Sequence, residues 1–309
     1  MLIHQQGLTC VRYKVVMNIV NSQEECERFK AALRPLFKAF IAFCEEHHLT
    51  WYCAYGTAIG VARHHGFIPW DDDIDVYMPR EDYNKFLSLK CSLKGTGYEI
   101  IDWEDKGYYL YFAKFCDCNS TLIEREGERP MGIYIDVFTL DYYHPEYSKP
   151  LQKHNTLYRN MWIVYAHGIR RHSWHAFAQC FKQRNWGRVG LIALDATVFR
   201  LFVWPAKMII KKFFKYLAKT PKSDKMWQYN IIDFYSNKIY EASWFEHGVE
   251  MPFEDFAVMM PCGYDPYLTL QYGDYMQMPP VDKQIPHHNH LFMDFEQRVG
   301  LSEIKDGLR

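Results

Sequence analysis

Apolar positions recur at helical spacing near the start of the chain. Phe29, Leu33, Leu36, Phe37, Phe40, Ile41 and Cys44 fall on one side of a 3.6-residue repeat. Ser22 with Glu25 has the form of a capping box ahead of them, so a helix is predicted from about residue 23 to 47. Pro35 lies inside that repeat and is predicted to kink or split it, because proline lacks an N–H and crowds the preceding turn. Thr50 to Tyr55 reads as a strand, Gly56-Thr57 as a break, and Ala58 to His64 as a short helix ended by Gly66. Ile74 to Met78 is a second strand closed by Pro79. Arg80 to Leu89 is a helix with Tyr83, Phe86 and Leu87 as its apolar positions. Strand-like runs follow at Glu99–Ile101, Tyr108–Phe115, Thr121–Glu124 and Ile133–Phe138. The order predicts an α/β or α+β domain. Residues 1–20 read as either a short strand from Val11 to Val16 or a loose arm.

The pattern changes near Tyr147. Ser148 to Lys225 carries sixteen Lys and Arg against two acidic residues, is rich in aromatics, and is predicted to be mostly helical. Within it, Arg200 to Lys219 alternates apolar and basic faces, with Leu201, Trp204, Met208, Phe213 and Leu217 on one broad apolar side. A core helix with a solvated rim explains that side equally well, but not the charge. An anionic membrane surface explains both, so peripheral membrane association is expected. Nucleic acid is not expected as a partner, since no motif for it accompanies the charge. After Lys225 the charge is mixed, and Pro- and Gly-rich stretches predict irregular structure.

Composition adds limits. The chain has 309 residues, 49% of them apolar and 17% aromatic, enough for a real core. Its net charge of −1 hides the asymmetry just described. Nine cysteines show no zinc-finger spacing, and Cys116 and Cys118 stand too close for a knuckle. The first twenty residues lack an apolar leader core, so a cytoplasmic protein with reduced thiols is expected. No uncharged apolar run of about 18 residues predicts a membrane-spanning helix.

The chemistry concentrates in "FIPWDDDIDVYMPRED", Phe67 to Asp82. A solvated acidic loop accounts for Asp71 and Asp72. It does not account for Asp73 and Asp75, which point to the same face if the strand includes both, while Ile74 and Val76 enter the core. Like charges side by side on a sheet repel unless neutralised, and Mg²⁺ favours carboxylate and phosphate oxygens. Asp136 is a lone carboxylate in "IYIDVF", otherwise a buried strand. Three carboxylates on adjacent strands suit metal-assisted displacement at phosphorus. Gly56-Thr57, at a strand-to-helix junction, offers amides and a hydroxyl to a phosphate, although such a pair is more often an ordinary turn and cap.

Together these pieces resemble the nucleotidyltransferase superfamily. The longer string "YGTAIGVARHHGFIPWDDDIDVYMPREDYNKF" resembles the signature of the LicD family, which includes bacterial phosphocholine transferases and the fukutin-related proteins. "KFCDCNSTLIE", "GIYIDVFTLD" and "YGDYMQMPPVDKQIPHH" resemble that family's later blocks in the same order. The resemblance covers roughly residues 25–145 and 240–290. It implies an α+β, nucleotidyltransferase-like core with a small mixed sheet flanked by helices, plus a basic, mostly helical insertion. The segments would be 20–147 for the catalytic core, 148–225 for the basic part, and 226–309 completing the site. It implies a CDP-linked donor and transfer of a phospho-alcohol such as phosphocholine onto a glycan; with the basic segment, a lipid-linked glycan acceptor and a peripheral place at the inner face of the membrane are expected. Asp73, Asp75 and Asp136 would hold Mg²⁺ or Mn²⁺, and Gly56 and Thr57 would contact donor phosphates. Arg63, Arg80 and Lys114 are candidates to neutralise phosphate, and Asp274, His287 and His288 belong to the block that closes over the site. Trp70 is a candidate to stack on the base, with a core or lid role as the alternative. Two positions depart from the family pattern: Cys116 stands where Arg is usual, and Gln284 near a second basic position.

Two other functions use the same features. One is nucleotidyl transfer, which leaves the nucleoside monophosphate on the acceptor. The other is a non-catalytic glycan- or membrane-binding protein of the same fold. His64 and His65 are read as ligands or as cap and surface residues, and one of His287, His288 and His290 is expected to reach the site.

Overall fold

The computed structural model describes residues 23–124, 128–170, 172, 174–232, 237–285 and 290–300. The expected strand or arm within residues 1–20 and the sites at His287 and His288 lie outside the described residues. The chain runs α1 (Gln23–Glu46), β1 (Tyr52–Cys53), α2 (Tyr55–Ile59), a π turn (Gly60–His64), β2 (Asp75–Pro79), α3 (Arg80–Ser88), β3 (Tyr98–Ile101), β4 (Ala113–Asp117), β5 (Thr121–Ile123) and β6 (Tyr134–Tyr142). Helices α4 (Pro145–Lys153), α5 (Asn155–Gly168), α6 (Trp174–Lys182), α7 (Trp186–Leu194) and α8 (Arg200–Leu217) follow, with a second π turn (Asp195–Phe199) joining the last two. The remainder is β7 (Lys225–Trp227), β8 (Ile239–Glu241), β9 (Gly248–Phe253), β10 (Phe256–Pro261), α9 (Tyr264–Tyr272) and β11 (Phe292–Asp294).

The main sheet has the order β1-β2-β6-β4-β3, and β7 and β8 extend it from the far end of β6. Among the described residues only the β2–β6 pair of this sheet is parallel; the other neighbours are antiparallel. This is the expected α+β architecture with a mixed sheet and flanking helices. The sheet draws strands from both ends of the basic stretch, so β7 and β8 complete what β6 begins.

Pleat alternation divides the sheet into two faces. On one, α1 packs its Phe40 and Phe43 rings against Phe115 of β4 and Phe86 of α3. On the other, Tyr77, Phe112 and Phe138 form an aromatic floor joined by Tyr55, Tyr240 and Tyr267. A second core, around Trp162, Phe213, Trp227 and Tyr229, binds α5 and α8 to the end of the sheet.

Helix α1 is a single helix: Pro35 does not split it. Pro35 is exposed, so the carbonyl left without its helical partner faces water. The strand expected at Tyr108–Phe115 starts later, at Ala113, because Tyr108 is buried and its hydroxyl donates to the Phe112 carbonyl, bending the run beforehand. The stretch after Lys225 is more regular than expected, since it holds the β9–β10 hairpin. Glu254 turns that hairpin with a left-handed backbone (φ 55°) and its carboxylate binds Arg34 of α1. The apolar side expected on α8 divides: Phe213 and Leu217 are buried with Ala206 and Ile210, whereas Leu201, Trp204 and Met208 are exposed. Trp186–Leu217 forms one 32-residue helical run that is long and apolar enough, by length and composition, to cross a membrane. Asp195 and Arg200 interrupt its sequence and conceal it from a search for uncharged runs.

Candidate active site

The site is assembled at the start of β2. After β1 the chain turns sharply at Tyr55, which takes a left-handed backbone (φ 45°) and donates its N–H to the Tyr267 hydroxyl. Gly56 follows and lets the Asp71 carboxylate lie close against the turn: a Cβ there would meet one of its oxygens at 2.6 Å and push the side chain aside. Thr57 is buried, and its Oγ1 accepts a hydrogen bond from the Asp75 N–H at 2.9 Å. The Ala54 N–H donates to the Asp75 carbonyl, also at 2.9 Å. The Gly-Thr turn is therefore stitched to the first residue of β2 and fixes the acidic loop above it.

Asp75 and Asp136 are register partners on the parallel pair β2 and β6, so their side chains share the aromatic-floor face. Lys114 on β4 is the register partner of Asp136 from the other side. Its Nζ lies 2.7 Å from Asp136 Oδ1, 3.8 Å from Glu124 and over the Tyr134 ring. Asp75, Asp136 and Lys114 are all buried, with Lys114 only 1% exposed.

Electrostatics ties Asp73 to this pair. Burial, and then the charges of Asp73, Asp136 and Asp71, push the Asp75 carboxyl well above the usual carboxylate range, with Lys114 pulling the other way. Burial also raises Asp136, to about 6, against the opposing Lys114 ion pair and with added repulsion from Glu124 and Asp73. Carboxylates so crowded favour either a proton or a cation.

Ligand oxygens of Asp71, Asp72 and Asp73 lie within 4.8 Å of one another. With Asp75 and Asp136 alongside, the donors are all carboxylate oxygens, a set that fits a hard divalent ion such as Mg²⁺ or Mn²⁺. The close group among the described residues is Asp71, Asp72 and Asp73, two of them read from the sequence as a solvated loop, whereas the expected trio Asp73, Asp75 and Asp136 is linked by strand register and by charge. Asp72 in particular is 1% exposed, and His290, stacked on Phe29, brings its Nε2 to 3.9 Å from it. Only tertiary packing could reveal that burial.

The other candidates separate. Arg80 is not brought to the cluster. Asp141 lies five residues beyond Asp136 on β6 and so faces the opposite side of the sheet, and Arg80 holds it with two hydrogen bonds of 2.7 Å. Arg63 binds the backbone carbonyls of Tyr275 and Gln277, fastening the π turn to the segment after α9. Trp70 is half-buried against the core, and Asp274 is exposed just past α9. His64 accepts a hydrogen bond from Arg63, and His65, exposed and left-handed (φ 54°), caps the π turn. Cys116 is fully buried on the Lys114 face of β4, its thiol pushed up by burial, which suits packing and not phosphate binding. Tyr272, absent from the sequence-based set, ends α9 beside the cluster: desolvation and then the charge of Asp75 raise its hydroxyl.

Residues 48–179 match the family described as LicD/FKTN/FKRP, nucleotidyltransferase domain. The chain is 28% identical over 260 residues to the lipopolysaccharide cholinephosphotransferase LicD of Haemophilus influenzae, covering 81% of this chain and 90% of that protein. It is 25% identical over 128 residues to an uncharacterized protein of Rickettsia typhi, covering 41% of this chain and 40% of that one. The carboxylate-bearing strands β2 and β6 lie inside the matched region, so residues 48–179 are similar to a LicD/FKTN/FKRP nucleotidyltransferase domain.

Proposed function

We propose that the protein transfers a phospho-alcohol, phosphocholine being the leading case, from a CDP-linked donor to a hydroxyl of a glycan or of its lipid-linked precursor. The observation that carries this reading is the alignment of Asp75 and Asp136 on neighbouring parallel strands, with Asp73 close enough to raise both. The likeness to a lipopolysaccharide cholinephosphotransferase over most of both chains supports a glycan acceptor.

In the reaction the acceptor oxygen forms a bond to the phosphorus that carries the alcohol. The bond from that phosphorus to the bridging oxygen breaks, and cytidine monophosphate leaves with the electron pair. Asp73, Asp75 and Asp136, with Asp71 and Asp72 adjacent, would hold Mg²⁺ or Mn²⁺, which when bound would supply the positive charge that the donor phosphates and leaving group require. Asp136 is oriented by Lys114, so receipt of the hydroxyl proton falls to Asp75 or Asp73. The Gly56–Thr57 turn keeps the start of β2 in place beneath the donor phosphates. The aromatic floor of Tyr77, Phe112 and Phe138 excludes water from below.

The test is product analysis. Purified protein is incubated with Mg²⁺, a lipopolysaccharide acceptor and CDP-choline labelled separately in choline and in cytidine. Choline label on the acceptor with cytidine label released as the monophosphate is the expected result. Cytidine label on the acceptor would replace this reading with nucleotidyl transfer, and no transfer from any CDP-linked alcohol would remove it.

A further inference from the structure

The 32-residue run from Trp186 to Leu217 buries little of itself. Only 17% of its most apolar 18-residue stretch is covered by the rest of the protein. Leu191, Leu194, Val198, Leu201 and Phe202 recur at spacings of three and four, which puts them on one side of the helix, and all are exposed. Leu201 is 78% exposed, and Trp204, one turn on, is 72% exposed. A soluble surface rarely leaves such a continuous apolar strip to water.

Of the two charges within the strip, the acid is turned inward and Arg200 is exposed. Asp195 is fully buried, with one carboxylate oxygen 2.9 Å from His167 Nδ1 and the other 2.6 Å from His172 Nε2. Arg200 reaches back to the Arg170 carbonyl and lines a cavity of about 900 Å³ between α5, the α7–α8 run and the Glu104–Gly107 loop. Beyond the strip the charge is of one sign. Lys182, Arg184 and Arg188 precede it, and Lys207, Lys211, Lys212, Lys215 and Lys219 follow it, with Asp195 the lone acid between Lys182 and Lys219.

We infer that this face docks into one leaflet of an anionic lipid bilayer. The exposed apolar side chains enter the acyl boundary, and the flanking lysines and arginines meet acidic headgroups. Charge complementarity selects the occupant, because a second copy would bring like-charged cations against these. Insertion stops at one leaflet, because Ala206, Ile210, Phe213 and Leu217 hold the same run against the second core, beside the sheet that carries the site. The inference does not depend on which donor is used.

The test is vesicle flotation of the full-length protein at low salt, with neutral phosphatidylcholine against phosphatidylcholine mixed with phosphatidylglycerol. Flotation only with the acidic vesicles is expected, weakening as salt rises. Tryptophan emission should shift to the blue and be quenched by brominated acyl chains, less so in Trp204→Phe. The double substitution Leu201→Asp with Phe202→Asp should abolish flotation while leaving circular dichroism and turnover of a soluble acceptor unchanged. Wild-type protein that stays unbound with acidic vesicles overturns the inference, as does binding without acyl-chain quenching. Sedimentation of a stable dimer that the double substitution dissociates, without lipid binding, assigns the face to self-association instead. The vesicles contain neither donor nor glycan, so failure here leaves the proposed transfer reaction untouched.

Discussion

Asp75 and Asp136 stand level with each other on adjacent parallel strands, and Lys114 meets Asp136 from the strand beyond. Two buried acids against one buried base leave an imbalance at the centre of the sheet that a divalent cation would correct.

Asp75→Asn should abolish most transfer while sparing the fold. The expected loss is roughly 10²–10³-fold in kcat, the range for removing one strong electrostatic stabiliser. Because the amide relieves repulsion from Asp73 and Asp136, Tm in the absence of metal should not fall and is expected to rise. Steady-state kinetics with calorimetry checks both, and a fully active Asp75→Asn protein would remove the residue from the mechanism.

The raised carboxyls give the metal-free protein a defined pH dependence. Their folded-state pKa values lie above those of the unfolded chain, so the folded protein binds protons more tightly. The contribution of this cluster to stability therefore falls as pH rises from the ordinary carboxylate range past about 6, the value for Asp136. Added Mg²⁺ should raise Tm at neutral pH and have little effect at pH 4, where the acids are protonated. Thermal melts across pH, with and without the ion, would show this, and Asp136→Asn should flatten the slope.

Lys114→Met should be among the most destabilising single changes in the site, since it leaves Asp136 buried beside Glu124 without its cation. Removing one partner of a buried pair costs about 3–5 kcal/mol. The double substitution Lys114→Met with Asp136→Asn should recover much of that stability but no activity, which denaturant titration and an activity assay would separate.

Gly56→Ala tests the close approach of Asp71. The new methyl group would meet the carboxylate at 2.6 Å and displace it, loosening the Asp71–Asp73 cluster. Misplacement on the 1 Å scale is expected to lower turnover by roughly 10²-fold, with a weaker Mg²⁺ titration and a small change in Tm.

Arg80→Lys should behave oppositely. It keeps the charge but loses the two-point grip on Asp141, so Tm should drop. Donor KM should stay within about twofold, because the pair is on the far side of the sheet from Asp136. A large rise in KM would return Arg80 to the phosphate site.

Strand β2 with Asp75, helix α1 and the carboxylate on β6 were legible, because each depends on a local period of two or 3.6 residues, whereas Asp73 lies before β2 in the acidic loop and not on the strand. What stayed hidden depends on distant partners. Asp141 makes β6 longer than its apolar run suggests, since its charge is met by Arg80 from another element. Asp72 reads as a surface acid because its cover comes from α1 and from His290. The β9–β10 hairpin carries Glu254-Asp255 at its turn where a glycine pair would have announced it, and Pro252 and Pro261 mask its strands. The exposed strip on α7 and α8 was blurred by Asp195, which only the folded protein turns inward, and by Arg200, which stays exposed and reaches the Arg170 carbonyl.

The parallel pairing of β2 with β6 also sets when the site comes into being. Its two aligned acids are 61 positions apart in the chain, and parallel neighbours cannot be joined by a tight turn. During synthesis, the acidic loop near Asp73 emerges well before β6 exists to complete it. A nascent or fragmentary chain ending before Asp136 therefore lacks the second aligned acid, and any capture of an ion that needs both would become a readout of finished long-range folding.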